Sequence, residues 1–539
     1  MFFARGIILS FKMGKRCRAL KPTLSLPDDS LGGLAADDHI RDWDNRLVRS
    51  FRGPEAKRLR TSLGSGVLGY TDYSGMDSPV DACRIAVGAV ARSMGLPSLP
   101  VDFLRSSDVG VAQRLVLVQR SYKESDGQAC VFEDLAGSLV PAASDMIAEM
   151  EPEENLTPAA ATEAYREMSK YLQAEWRWAL PSSKTAFCIV HRRYCPVHPG
   201  WVLRLARDGL SLDDIERAID ALDGQLEASL PGSSRDLRPS RVVTPWWKSE
   251  SILRPPLDDN GVAKRRLLLH VSGLTCTDFC SGGAQKQDAG RSNREHAIWM
   301  GDRKARAMLD EEDVYFTECA PNYKVQVKQA ALHDTHHIMS VLTGPELFGY
   351  PAFRLRSYGA GINRLRFVWV GPPPASVQED FARLFHGPVA LEASVYLTAP
   401  WSDVMAFSEG LATSRILFFK RPPEFEGSLA NSLHVLCPAS MLSRKGAYER
   451  FFVERGASPP WFADLEHNPK FGAPSQSSFL PTILTHPRIY CWPHGLEERG
   501  QRFMLPDEML FSHGFDMVPE LCGDRPLSGL SAIFKELSD

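Results

Sequence analysis

The chain has no apolar run long enough to cross a bilayer, no excess of one charge, and no cysteine pattern that reads as a disulfide framework. A membrane span needs about twenty consecutive apolar residues, so no membrane partner is expected. Against 66 acidic residues stand 62 basic ones, a net charge of −4. Without a global basic field, binding to nucleic acid would need a local basic cleft. The 11 cysteines are an odd number scattered over 539 residues, with no persuasive secretory signal. They favour a reducing compartment over a disulfide scaffold.

What is present is an ordinary globular composition, 44% hydrophobic and 24% charged, on a chain long enough for more than one domain. Residues 1–60 read as a poorly ordered N-terminal segment. Apolar Met1 to Leu9 followed by Lys12, Lys15, Arg16 and Arg18 suits an organelle presequence. Lys57-Arg58-Leu59-Arg60 instead suits a nuclear address or a phosphate-contacting patch. The nucleus is the expected location, an organelle the alternative.

Two strand–loop pairs carry the chemistry. Val67-Leu68-Gly69-Tyr70 reads as a strand running into Thr71 to Pro79, where Ser78 can cap a helix with Pro79 at its first position and Gly95 at its end. Strand, glycine-containing turn and helix are how doubly wound folds receive a nucleotide. Further on, Leu267 to Val271 reads as a buried strand, followed by Leu274-Thr275-Cys276-Thr277-Asp278-Phe279-Cys280-Ser281-Gly282-Gly283. A cysteine in a loop at the carboxyl end of such a strand sits where open α/β sheets hold ligands. Backbone N–H groups there can stabilise a thiolate.

Between these pairs, residues 140–255 read as a mostly helical insertion. Thr157 and Pro158 open a helix with Ala161, Tyr165, Met168, Leu172 and Trp176 on one stripe. A second helix begins at Ser211 with Ile215, Ala218, Ile219 and Leu222 inward. Within the insertion, Cys188, His191, Cys195 and His198 recur at spacings that could supply four zinc ligands. That spacing is compressed for one ion, because structural sites normally draw two pairs from separate loops. The expectation is therefore no metal, with Cys188 and Cys195 packed inside a basic strand-turn.

In order along the chain stand the Thr275–Gly283 loop, the strand Asp313 to Pro321 containing Glu318, and Tyr358 to Gly371 containing Arg364-Leu365-Arg366. Leu480-Pro481-Thr482-Ile483 and Arg502 to Leu510 follow. The series resembles the DNA cytosine-5 methyltransferase family, whose blocks read Pro-Cys-Gln, Glu-Asn-Val, Gly-x-x-Gln-x-Arg-x-Arg, Pro-Thr-Ile and Arg-x-Leu-Thr-x-x-Glu. The resemblance implies a Rossmann-like α/β fold that uses S-adenosylmethionine. It implies DNA, or alternatively RNA, as partner, with the target base flipped out of the stack. It makes Cys276 the nucleophile, Glu318 the carboxyl at the base's N3, Arg364 the orienting guanidinium and Arg366 its support. It assigns Tyr73, Ser74 and Gly75 to the cofactor turn, Asp108 to the ribose, and Asp134 with Phe132 to the adenine.

Departures from the pattern include Asp77 for a glycine, Thr275 for the proline, Thr277 for the glutamine, Cys319 and Ala320 for Asn-Val, and Ile362 for the second glutamine. Two other readings remain: a degenerate relative that binds nucleic acid without catalysis, and a thiol enzyme using His333, His336 or His337 as base. The expected layout is a cofactor-binding half at 61–139, the insertion at 140–255, a catalytic half at 256–375, a recognition domain at 376–478 and a return to the first domain at 479–539. Within the recognition domain, Ser394 to Thr398 and Ile416 to Lys420 read as strands. Trp461 and Phe462 beside Lys420, Arg421, Arg444 and Lys445 suit a nucleic-acid surface.

Overall fold

The computed structural model describes residues 9–11, 65–72, 78–93, 98–133, 138–223, 243–254, 265–279, 285–369, 373–389, 391–414, 432–472, 477–483, 487–497 and 500–513, with 63, 95 and 429 singly. They fall into two compact units. The first gathers the described residues up to 342 together with 356–380; the second gathers 343–355 and those from 381 onward.

The first unit is built on a seven-stranded sheet. In chain order its parts are β1 (Leu9–Phe11), β2 (Val67–Asp72), α1 (Ser78–Ser93), β3 (Val101–Ser107), α2 (Val111–Ser125) and β4 (Cys130–Phe132). Next come α3 (Pro141–Glu149), α4 (Pro158–Ala174), β5 (Thr185–Cys188), β6 (Arg193–Pro196), α5 (Pro199–Arg207) and α6 (Leu212–Asp223). The unit closes with β7 (Leu267–Gly273), α7 (Ser292–Met308), β8 (Val314–Cys319), α8 (Val325–Leu332), β9 (His336–Thr343), β10 (Arg356–Asn363) and β11 (Phe367–Trp369). The sheet order is β4-β3-β2-β7-β8-β10-β9. Strands β4, β3, β2, β7 and β8 are parallel, and β10 runs antiparallel to β8. A mostly parallel central sheet with flanking helices fits an α/β methyltransferase fold.

The apolar runs of β2 and β7 are buried along almost their whole length, as strands covered on both faces must be. From β2 the chain first winds outward through β3 and β4, then returns to the other side of β2 as β7 and β8. That reversal puts the topological switch point between β2 and β7, and their carboxyl ends are where such sheets bind ligands. At the end of α1, Gly95 adopts φ +62° and its N–H reaches the Arg92 carbonyl, the cap expected of it.

The insertion is helical as expected, apart from the β5–β6 hairpin. Thr157 accepts from the Ala160 N–H and starts α4, which buries Ala161, Tyr165, Met168 and Leu172. Ser211 and Asp214 bond reciprocally at the start of α6. Residues of α3 and α4 share one core with Leu274, Phe279 and the buried face of α7. These helices are thus part of the first unit's interior.

Beneath the sheet runs a buried charged network. Asp72 accepts from Arg105 at 2.6 Å, from Ser107 at 2.9 Å and from His270 at 2.8 Å. Arg303 pairs with Asp302 and Glu312, and the Tyr70 hydroxyl donates to Glu312 at 2.7 Å. Fully buried charges persist only when paired this closely.

The second unit has a different partition from the expected one. Its labelled parts are α9 (Trp401–Ser414), α10 (Ala439–Glu454), β12 (Trp461–Asp464), β13 (Ile489–Trp492), β14 (Arg502–Phe503) and α11 (Pro506–Ser512). Strands β12, β13 and β14 form one antiparallel sheet. Leu480, Ile489, Met504 and Phe511 pack with Ala352, Tyr396 and Phe462, so the described residues after 479 belong here and not to the first unit. Ala393–Tyr396 is a 3-10 turn where a strand was expected, and Ile416 to Lys420 lie outside the described residues. Trp461 and Phe462 are buried in β12, while Arg444 bonds the Leu465 and Glu466 carbonyls and Lys445 pairs with Glu449. The aromatic–basic surface expected there is therefore spent on internal packing; Lys420 and Arg421 fall outside the description. In the first unit, Leu9–Phe11 pairs antiparallel with β11, so this part of the expected N-terminal tail is a strand. No described helix is long and apolar enough to cross a membrane.

Candidate functional site at the carboxyl rim

Register brings the Cys276 loop beside Glu318. Strand β7 pairs with β2 on one side, Ser272 opposite Asp72, and with β8 on the other, Gly273 opposite Glu318. The Leu274 N–H donates to the Glu318 carbonyl at 2.9 Å. Cys276 follows two residues later and is half-buried. The three chain segments that the resemblance assigns to cofactor, nucleophile and acid therefore leave neighbouring strands at the same rim.

The Cys276 loop is anchored from α7. His296 donates from Nε2 to the Thr275 carbonyl at 2.8 Å and stacks on Phe279, with ring centroids 5.5 Å apart. Burial lowers the His296 pKa to about 4, so the ring is neutral and can donate from only one nitrogen. The Phe279 N–H closes a turn on the Cys276 carbonyl at 2.9 Å. Asp278 accepts from the Ser292 N–H at 2.9 Å and its hydroxyl at 2.6 Å. A carboxylate at a helix start satisfies donors the helix leaves open.

Gly290 makes that anchor possible, because a Cβ there would lie 1.9 Å from the Asp278 carboxyl carbon. Gly290→Ala is expected to push Asp278 off α7 at a cost of about 1–3 kcal/mol. It should lower both the thermal midpoint and the single-turnover rate. An alanine variant unchanged in both would show that the anchor does not matter.

Glu318 is partly exposed and ion-pairs through Oε1 with the Arg356 Nε at 2.8 Å. Beneath it, Lys328 is buried, donates to the Thr317 hydroxyl at 2.5 Å and lies 4.7 Å from the Tyr323 ring centre. Burial lowers its pKa to about 7 and pushes the neighbouring Cys319 thiol up to about 12. Cys319 is therefore a neutral, packed thiol.

The arginine pair chosen from the sequence lies elsewhere. Strand β10 runs antiparallel to β8, with Tyr358 opposite Glu318 and Ile362 opposite Val314. Four strand residues span about 13 Å, and Arg364 lies beyond them at the amino end. There it is exposed, and its N–H and guanidinium bond the Thr335 and His333 carbonyls. Arg366 pairs with Asp310 and Asp313 at that same end. The structure does not bring Arg364 or Arg366 to Glu318; the arginine it places there is Arg356. The signal was in the sequence, since Gly349-Tyr350-Pro351-Ala352-Phe353-Arg354-Leu355-Arg356 has the same Gly-x-x-x-x-Arg-x-Arg spacing and also leads into a strand.

His333 and His336 likewise belong to the far rim. The His333 carbonyl meets Arg364, and the His336 ring is buried against Thr335. Neither serves Cys276 as a base. Among the cofactor residues, Asp108 stands half-buried at the carboxyl end of β3, with Oδ1 accepting from the Gly110 N–H at 2.8 Å. Phe132 ends β4 but is packed in the core with Trp201, Trp246 and Trp247, so it is not presented to a ligand. Tyr73, Ser74, Gly75 and Asp134 lie outside the described residues.

No family model and no curated protein matches the chain. Among solved structures, a mutant DNMT2 of Spodoptera frugiperda is similar at 11% identity and a TM-score of 0.21 over 55% of this chain. The chain spans about half the length of that structure, 50%. A protein described as a prophage-encoded DNA modification methyltransferase of E. coli is similar at 12% identity and a TM-score of 0.14, over 18% of this chain and 27% of its own.

Proposed function

We propose that the protein is an S-adenosylmethionine-dependent methyltransferase acting on C5 of cytosine in DNA. The observation that carries the reading is that the segment leading into Cys276 runs beside Glu318 at the carboxyl rim, with Gly273 in register with Glu318 and the Leu274 N–H on its carbonyl, one strand away from the end of β2.

Ring carbon C5 of cytosine is a weak nucleophile, so the reaction needs covalent help. The Cys276 thiolate adds to C6, and electron density moves to C5 as N3 takes a proton. Glu318 is the group to which we assign the supply of that proton. Arg356 holds the acid through its 2.8 Å contact and adds positive charge where the base would sit. After C5 has gained its methyl group it loses its own proton. With the C5 proton passed to solvent, the sulfur–C6 bond breaks and N3 returns its proton to Glu318, which restores the ring and the acid.

S-adenosylmethionine, when bound, supplies the electrophilic methyl group. The described part of its cradle fits at Asp108, a carboxylate at the end of β3 suited to ribose hydroxyls. The fit does not extend to Phe132, whose ring is spent in the core.

The test is trapping. With 5-fluorocytosine the C5 proton is absent, so the sulfur cannot leave. Purified protein, S-adenosylmethionine and an oligonucleotide carrying that base should give an adduct that survives denaturation and vanishes in Cys276→Ser. DNA and RNA arms run side by side separate the two polymers. An adduct with RNA alone would move the substrate to RNA. No adduct with either would leave a nucleic-acid binder without catalysis.

A further inference from the structure

We propose that Cys130, Cys188, His191 and Cys195 bind a single zinc ion that staples the β5–β6 hairpin to the edge of the central sheet. The donor atoms of these four residues all lie within 4.8 Å of one another. His191 Nδ1 is 3.6 Å from the Cys130 sulfur, 3.3 Å from Cys188 and 3.4 Å from Cys195. Zinc bound tetrahedrally, at about 2.3 Å to sulfur and about 2.0–2.1 Å to nitrogen, holds sulfur and nitrogen about 3.5 Å apart. The observed spacings match that figure.

His191 Nε2 lies 2.9 Å from the Gly127 carbonyl, which can only accept, so Nε2 carries the proton and Nδ1 offers one lone pair. That lone pair faces three buried sulfurs at once. A cation at their centre satisfies all four donors, and the Nε2–H···O=C bond is the outer contact that orients a metal-bound histidine.

The chain builds the site from two places. Cys188 ends β5, His191 lies in the four-residue turn that Arg192 closes at φ +54°, and Cys195 lies in β6. Cys130 opens β4, the edge strand, which the hairpin meets through the Ile189 N–H bonding the Val131 carbonyl. Trp247 packs edge-on against the imidazole with centroids 5.6 Å apart. All three sulfurs are fully buried and every coordination position is filled by protein, which describes a structural site and not a catalytic one. Donors this close leave no room for a cluster of irons and sulfides. His198, the fourth ligand suggested by spacing, turns inward instead and lies 3.5 Å from Asp302.

The full-length protein, prepared without a polyhistidine tag or chelators, should contain one equivalent of zinc. X-ray absorption at the zinc edge should report three sulfur neighbours and one nitrogen. Cys130→Ser should lose the metal, and His198→Asn should keep it. Folded wild-type protein holding well under one equivalent, or zinc with a different donor count, would overturn the proposal. So would full zinc in Cys130→Ser. If a variant does not fold, metal content and absorption of the wild type still decide.

Discussion

Arg356→Gln is expected to lower turnover by about 10²-fold or more, a size typical of losing one preorganised charge at a reacting centre. Arg364→Ala should leave turnover within a few-fold. The two arginines flank one strand, yet only Arg356 reaches Glu318, at 2.8 Å, while Arg364 is tied to carbonyls at the opposite end. The Arg356 loss should fall mainly on kcat, because the residue acts through the acid. Measuring both variants by single-turnover methyl transfer checks the assignment. Equal losses, or a larger loss for Arg364, would restore the arginine chosen from the sequence.

That contrast shows how far the sequence could be read. Strands β7 and β8 were legible because parallel strands buried on both faces leave continuous apolar runs, and the polar residues just after them had to be rim loops. Glu318, still inside β8, came from the resemblance, whereas Cys276 follows from that pattern. The arginine did not, because two Arg-x-Arg sequences of identical spacing lie before and after β10. Only the antiparallel register tells which end meets Glu318. Likewise Cys130 was invisible as a ligand: it lies 61 residues before His191 inside a buried strand, where a cysteine reads as packing. The helices of the insertion were legible from their caps and stripes. Their merger into the core beneath the Cys276 loop was not, since amphipathic stripes do not name the surface they cover.

A second large effect concerns acid. His270 and His296 have pKa values lowered to about 4 and His336 to about 3, in each case first by burial. All three are neutral in the folded chain and would take up protons on unfolding. Between pH 6.5 and about 4 the unfolded state therefore binds more protons, and stability falls as pH falls. A histidine moved from 6.5 to about 4 withdraws about 3 kcal/mol at the acid end. Asp81, raised to about 6 mainly by burial, works in the opposite direction over part of that range, as does Glu311, also raised by burial. Three histidines outweigh two acids, so urea midpoints should drop steeply from pH 6.5 to 4.5. His270→Asn should flatten the slope. A midpoint that holds constant over that interval would contradict the assignment.

The long segment between β4 and β7 has a consequence for how this protein can change. Because Tyr165, Met168 and Leu172 pack in one core with Trp299 and Phe279, against which Cys276 lies, cutting out the chain between β4 and β7 would strip the wall from behind the Cys276 loop. A trimmed descendant would have to invent a replacement wall before it could work at all. The length of this segment is thus a commitment, and shortening is a direction in which it cannot easily evolve.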